Sequence, residues 1–182
     1  METKDGVTIE DLYNMPDNGK AEILNGELVL MTPTGGKPGR AGGIIYATLL
    51  DYERRTKSGY AFPDNVGFVV DLPHRSSFSP DAAFYKGEVG MTFLKGAPVF
   101  AVEVRSENEY GEKAEEQIAK KRTDYFAAGT LVVWDVDLLA EDAVRVFRAS
   151  DPDKATVYHP GEVAEAEPAV PGWTFRVDDL FS

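Results

Sequence analysis

Val99-Phe100-Ala101-Val102-Glu103-Val104, with Arg105 after it, decides the fold, because an apolar run of strand length broken only by Glu103 is what a central strand covered on both faces requires. On its N-terminal side, Ser79-Pro80-Asp81 leads into Ala82-Ala83-Phe84-Tyr85, a second strand with an acid at its entrance. On its C-terminal side a helix is expected from about Glu112 to Ala128, with Gly129 as its C′ stop and Lys121 on it. Leu131-Val132-Val133-Trp134-Asp135-Val136 then reads as another buried strand.

Elsewhere, Thr8-Ile9-Glu10-Asp11-Leu12-Tyr13 opens as a capped helix, with Thr8 as N-cap and Asp11 three residues on, and Pro16 with Asp17-Asn18-Gly19 closes it. Ala21-Glu22-Ile23-Leu24 and Glu27-Leu28-Val29-Leu30-Met31 flank Asn25-Gly26, the signal of a type I′ hairpin. After the loop Pro33 to Pro38, residues from about Arg40 to Lys57 carry Ile44, Ile45, Leu49, Tyr52 and Glu53 at helical spacing. Val66 to Val70 reads as a strand and Leu72 to Ser77 as the turn that returns the chain to Asp81. Val144, Val146 and Phe147, then Thr156-Val157-Tyr158, suggest edge strands, and Pro171 to Val177 a last one. This order predicts an α/β (α+β) architecture: a mixed β-sheet core flanked by helices, with an N-terminal helix and β-hairpin, in one domain over residues 1–182.

At 182 residues with 43% hydrophobic and 27% charged residues, the chain is long enough to bury a core unaided. No apolar run approaches the roughly 18 residues of a spanning helix. Met1-Glu2-Thr3-Lys4-Asp5 lacks the basic start and apolar core of a signal peptide, so no membrane partner and a cytoplasmic location are expected. With no cysteine, disulfides, thiolate zinc sites and cysteine nucleophiles are excluded. The net charge of −12 opposes the basic footprint of most nucleic-acid binders. Binding DNA would need bound divalent metal to offset local charge, or a basic strip through Lys37, Arg40, Arg54, Arg55 and Lys57.

Asp81 and Glu103 are the candidate metal ligands and Lys121 the candidate catalytic cation. Two carboxylates on neighbouring strands with a lysine nearby can hold Mg²⁺ and activate water against a phosphodiester. Glu103, inside an apolar run, needs a cation or hydrogen-bond donors: either a metal at the strand's end, or an ion pair with Arg105 on the same strand face. Asp81 taken alone is also an ordinary strand-entrance cap, and Asp64 is discounted because Asn65-Val66-Gly67 leads off into a different strand. Lys121 interrupts the stripe Ala114, Ile118, Tyr125, Ala128; its bland counterpart is a stem that snorkels to water. Gln117, one turn earlier, is placed to orient a water or a carboxylate. Glu22 is either a further acid of the site or, as sequence favours, a solvent-facing position. His74 and His159 suggest no paired chemistry.

These pieces, together with Ala21 to Leu28, Pro80 to Phe84, Glu103-Val104-Arg105-Ser106, Lys121 with Tyr125, Ala128-Gly129, Trp134-Asp135-Val136 and Pro171-Gly172-Trp173, make a chain that resembles the Uma-two family of restriction-endonuclease-like proteins, within the PD-(D/E)XK nuclease superfamily. The resemblance implies a restriction-endonuclease-like core in which Asp81, Glu103 and the Val104 carbonyl bind Mg²⁺, for which Mn²⁺ substitutes, and a DNA phosphodiester is hydrolysed. The superfamily's lysine normally follows the second acid by two residues. Here Arg105 fills that slot, and the lysine maps to Lys121. Arg105, always protonated, is no general base but would hold a phosphate or transition-state charge. Lys37-Pro38-Gly39-Arg40 stands where relatives often carry a histidine. The departures leave a second reading, an inactive nuclease-fold module serving assembly or interaction as a homodimer, and a third, a hydrolase of small phosphorylated molecules.

Overall fold

The computed structural model describes residues 6–15 and 19–182. The expected helix stop at Pro16-Asp17-Asn18 and the stretch Met1 to Asp5 lie outside the described residues.

Helix α1 (Ile9–Asn14) carries the expected capping box, the Thr8 side chain accepting from the Asp11 N–H while Asp11 accepts in return from the Thr8 backbone. Strands β1 (Ala21–Leu24) and β2 (Glu27–Leu30) form the hairpin, with Asn25 at φ +54° and Gly26 at φ +73° as a type I′ turn demands. Helix α2 (Gly36–Thr56) starts earlier than the sequence reading had it, taking Lys37 and Pro38 into its first turn, where proline's missing N–H has no intrahelical partner to lose. Lys57, left-handed at φ +52°, caps it through a bond to the Glu53 carbonyl.

Strands β3 (Tyr60–Pro63), β4 (Phe68–Leu72) and β5 (Arg75–Phe78) follow. Two corrections arise here. β3 was not foreseen, and Arg75 to Ser77, read as turn, belong to a strand that pairs with both β4 and β1. The misreading has a cause: Arg75-Ser76-Ser77 is polar, yet Arg75 and Ser77 are buried because both find partners inside. Then come β6 (Ala82–Tyr85), the short β7 (Leu94–Lys95), also unforeseen, β8 (Phe100–Val104), α3 (Glu112–Ala127) and β9 (Val132–Val136). β10 (Val144–Arg148), β11 (Asp151–Tyr158), β12 (Val163–Glu165), β13 (Thr174–Arg176) and a 3-10 turn (Val177–Phe181) complete the chain. β10 was expected at an edge but lies between β9 and β11, which explains why Val144 and Val146 are fully buried.

The strands make a six-stranded sheet, β11-β10-β9-β8-β6-β3, a five-stranded sheet, β2-β1-β5-β4-β7, and the ribbon β12-β13. Both larger sheets are mixed, with β8 parallel to β9 and β4 parallel to β7. Period-2 alternation divides the central strands between two cores. Phe84, Phe100, Val102, Val132 and Trp134 face α2 and the C-terminal segment, while Ala83, Tyr85, Ala101 and Val133 face the five-stranded sheet and α3. The six-stranded sheet is therefore apolar on both sides at its centre, as the run around Glu103 required. Among the described residues no helix is long and apolar enough to cross a membrane.

Candidate active site

Parity along β8 puts Glu103 on the Ala101 face, between the two sheets and under α3. There its Oε1 accepts from the Tyr125 hydroxyl at 2.6 Å and from Lys121 Nζ at 2.9 Å. Lys121 Nζ also donates to Glu22 Oε1 at 2.9 Å. Glu22 is 3% exposed, so the solvent-facing expectation fails: besides Lys121 it takes the Ser79 N–H at 2.8 Å and Arg75 Nη1 at 2.7 Å. Lys121 does not snorkel, because two carboxylates satisfy its ammonium inside the cleft.

Asp81, at the mouth of β6, lies beside the end of β8. Its N–H donates to the Val102 carbonyl at 3.0 Å and its Oδ2 accepts the Val104 N–H at 2.7 Å. Lys20 Nζ lies 2.8 Å from both Asp81 Oδ1 and Asp64 Oδ1. This corrects the dismissal of Asp64: β3 pairs with β6, Pro63 opposite Ala82, and so delivers Asp64 next to Asp81. Lys20 itself was missed, although it shares the alternation of Glu22 two residues on.

Asp81, Glu103, Val104, Lys121, Glu22 and Gln117 line one cleft of about 920 Å³. Gln117 is exposed on the helical turn before Lys121. Arg105 also borders the cleft, but its guanidinium is turned to Asp135 through two bonds of 2.7 Å and to Glu115, and it makes no ion pair with Glu103. It is a buried clamp that joins the end of β8 to Asp135 on β9 and Glu115 on α3. The basic strip is not continuous either, since Lys37 and Arg40 begin α2 and Arg54, Arg55 and Lys57 end it, about 20 Å away at 1.5 Å per residue.

Charge sharpens the site. Burial, reinforced by Asp81 and Glu22 and opposed by Lys121, pushes the Glu103 carboxyl up to about 7. Burial works against the Lys121 ammonium, but Glu103 and Glu22 outweigh it and hold the pKa above the ordinary lysine value. Burial likewise opposes ionisation of Glu22, and Lys121 and Arg75 overcome it, keeping that carboxylate charged. Lys20 is raised in the same way, burial being exceeded by the pull of Asp81 and Glu103.

The donor set fits a hard divalent cation. Both bonds to Glu103 fall on Oε1, and carboxylate oxygen suits Mg²⁺, which takes one or two carboxylates and keeps several waters. Among the described residues no three His, Cys, Asp or Glu side chains gather closely enough to hold a metal by themselves.

The family described as "Uma2: Putative restriction endonuclease" matches residues 9–178. Among solved structures, the chain is similar to one described as a "putative nuclease belonging to DUF820" from Anabaena variabilis, with a TM-score of 0.76 and 18% identity over 96% of this chain and 97% of that one. At that identity the likeness establishes the restriction-endonuclease-like fold. No curated protein matches the chain.

Proposed function

The chain belongs to the Uma2 family described as putative restriction endonucleases, and from that premise we propose that it is a Mg²⁺-dependent endonuclease that hydrolyses phosphodiester bonds of DNA in the cytoplasm. The observation that carries the reading is Lys121 Nζ held 2.9 Å from both Glu22 and Glu103, in the cleft that Asp81 also lines. Asp81, Glu103 and the Val104 carbonyl would hold the metal. When bound, it supplies Lewis acidity toward a phosphoryl oxygen and lowers the pKa of a coordinated water.

The chain's own residues do the rest. Lys121, kept protonated by its two carboxylates, is a poor base. Its role is to orient the attacking water and stabilise charge developing on the phosphate. Glu22, itself held by Arg75 and the Ser79 N–H, fixes the ammonium in place. Tyr125 orients Glu103 by donating to Oε1. Lys20, bonded to Asp81, adds a positive charge that opposes metal uptake at that carboxylate. A homodimer would bring two such clefts to one duplex, which sedimentation velocity checks.

One observation favours the inactive-module reading: Lys20 and Lys121 already neutralise much of the acid cluster. The experiment that decides is Mn²⁺ and Mg²⁺ calorimetry on the wild type and on Asp81→Asn/Glu103→Gln, followed by plasmid nicking with the same samples. Metal binding and nicking that vanish together in the double variant support the endonuclease. A wild type that binds no metal leaves a nuclease fold without its chemistry.

A further inference from the structure

Helix α3 carries Lys121, yet its buried side chains are only Asp124 and Tyr125. Its apolar contact with the sheet is narrow, resting on Tyr125 with Phe126 and Ala128 beside it, so polar anchors share the work of fixing its position. Asp124 lies three residues after Lys121, on the same side of the helix. Its Oδ2 accepts from Arg75 Nε at 2.8 Å, and its Oδ1 lies 2.6 Å from His74 Nε2. Arg75, 5% exposed on β5, extends its other arm to Glu22 Oε2 at 2.7 Å. One guanidinium thus joins the carboxylate that grips Lys121 to the helix on which Lys121 rides.

A second track runs alongside. The Arg75 guanidinium sits 4.8 Å over the Phe78 ring, and Phe78 stacks on Tyr125 with centroids 4.0 Å apart and planes at 14°. Tyr125 then reaches Glu103. Both tracks begin at Arg75 in the five-stranded sheet and end on the carboxylates that face Lys121.

We infer that Arg75 and Asp124 are positioning residues of the active site: the two-armed Arg75 bridge docks α3 on the five-stranded sheet and sets the distance between Lys121 and the Glu22–Glu103 pair. The inference rests on the proposed endonuclease activity for its catalytic consequence, but its structural half stands apart from it. Arginine suits the task because its planar guanidinium holds its donors in a rigid fork, so Glu22 and Asp124 are gripped in fixed directions.

The test uses the full chain with Asp124→Asn and Arg75→Lys, both near in size to the native residue. Amide hydrogen exchange read by mass spectrometry is expected to accelerate about tenfold or more across Glu112–Ala127 in each variant while Gly36–Thr56, which packs on the other core, stays as in the wild type. Plasmid nicking is expected to show kcat lowered about 10- to 100-fold with KM within about twofold, as for loss of supporting contacts behind a site. The double variant should be no worse than either single one, since both break one bridge. Wild-type exchange in α3, or a rise in KM at unchanged kcat, would overturn the inference. Should Asp124→Asn fail to fold, Arg75→Lys carries the same measurements. If the wild type cleaves nothing, the endonuclease reading fails while the exchange data still judge the bridge.

Discussion

Glu103→Gln isolates the charge at the centre of the site while keeping its shape and its capacity to accept from Tyr125 and Lys121. Burial beside Asp81 and Glu22 raises the wild-type carboxyl from an ordinary 4.5 to about 7. A carboxyl with a raised folded-state pKa contributes stability that is fully present below its unfolded value and lost as pH rises through the folded one. The window therefore opens near pH 4.5 and closes a little above pH 7. At about 1.4 kcal/mol for each pH unit, the ionised carboxylate stands about 3 kcal/mol less favourable in the folded protein above that window. Glutamine carries no such charge. Urea unfolding without divalent metal should show wild type and variant nearly equal at pH 5, and the variant more stable by up to about 3 kcal/mol at pH 8.5. Adding Mg²⁺ or Mn²⁺ at pH 8.5 should raise the wild-type midpoint and leave the variant's unchanged. A variant less stable at pH 8.5, or a difference that does not change with pH, would refute the account of Glu103 as a half-buried carboxylate raised by its surroundings and by Asp81 and Glu22.

Lys121→Met removes the ammonium that Glu22 and Glu103 share, so nicking should be lost while the protein becomes about 3 kcal/mol less stable by chemical denaturation. Nicking at the wild-type rate would end the assignment of Lys121. Lys20→Ala takes a positive charge off Asp81, and Mn²⁺ affinity by calorimetry should rise about tenfold; weaker binding would mean that Lys20 organises the site rather than opposing the metal. Arg105→Lys restores the residue type usual two places after the second acid. It breaks the paired bonds to Asp135, so a loss of about 2 kcal/mol with no gain in nicking is expected, and a faster enzyme would show that Arg105 belongs to the site after all.

Much of the site was legible because its acids sit where local patterns make them conspicuous. A carboxylate inside an apolar strand calls for a partner, and a lysine in a helical stripe is placed toward whatever the helix covers. That reasoning marked Glu103 and Lys121 as candidates, while it offered Glu103 a metal or Arg105 as partner and left Lys121 a path to water. Glu22 looked like a surface residue because its burial depends on Arg75, and Arg75 was hidden in a polar stretch that reads as a turn. Asp64 and Lys20 escaped for a similar reason, since the pairing of β3 with β6 and the packing of the hairpin bring them to Asp81 from distant parts of the chain.

The sequence by itself determined the elements whose causes are local: the capping box of α1, the Asn25-Gly26 turn, the doubly covered strand around Glu103 and the stop of α3 at Gly129. Each depends on backbone conformation or side-chain periodicity within a few residues. Only the tertiary structure decided which charges meet. It turned Arg105 toward Asp135 and Glu115, gave Lys121 both Glu22 and Glu103, and joined α3 to the five-stranded sheet through Arg75. An ion pair in a low-dielectric cleft depends on distance in space, and residues dozens of positions apart acquire that distance only when the sheets close on one another.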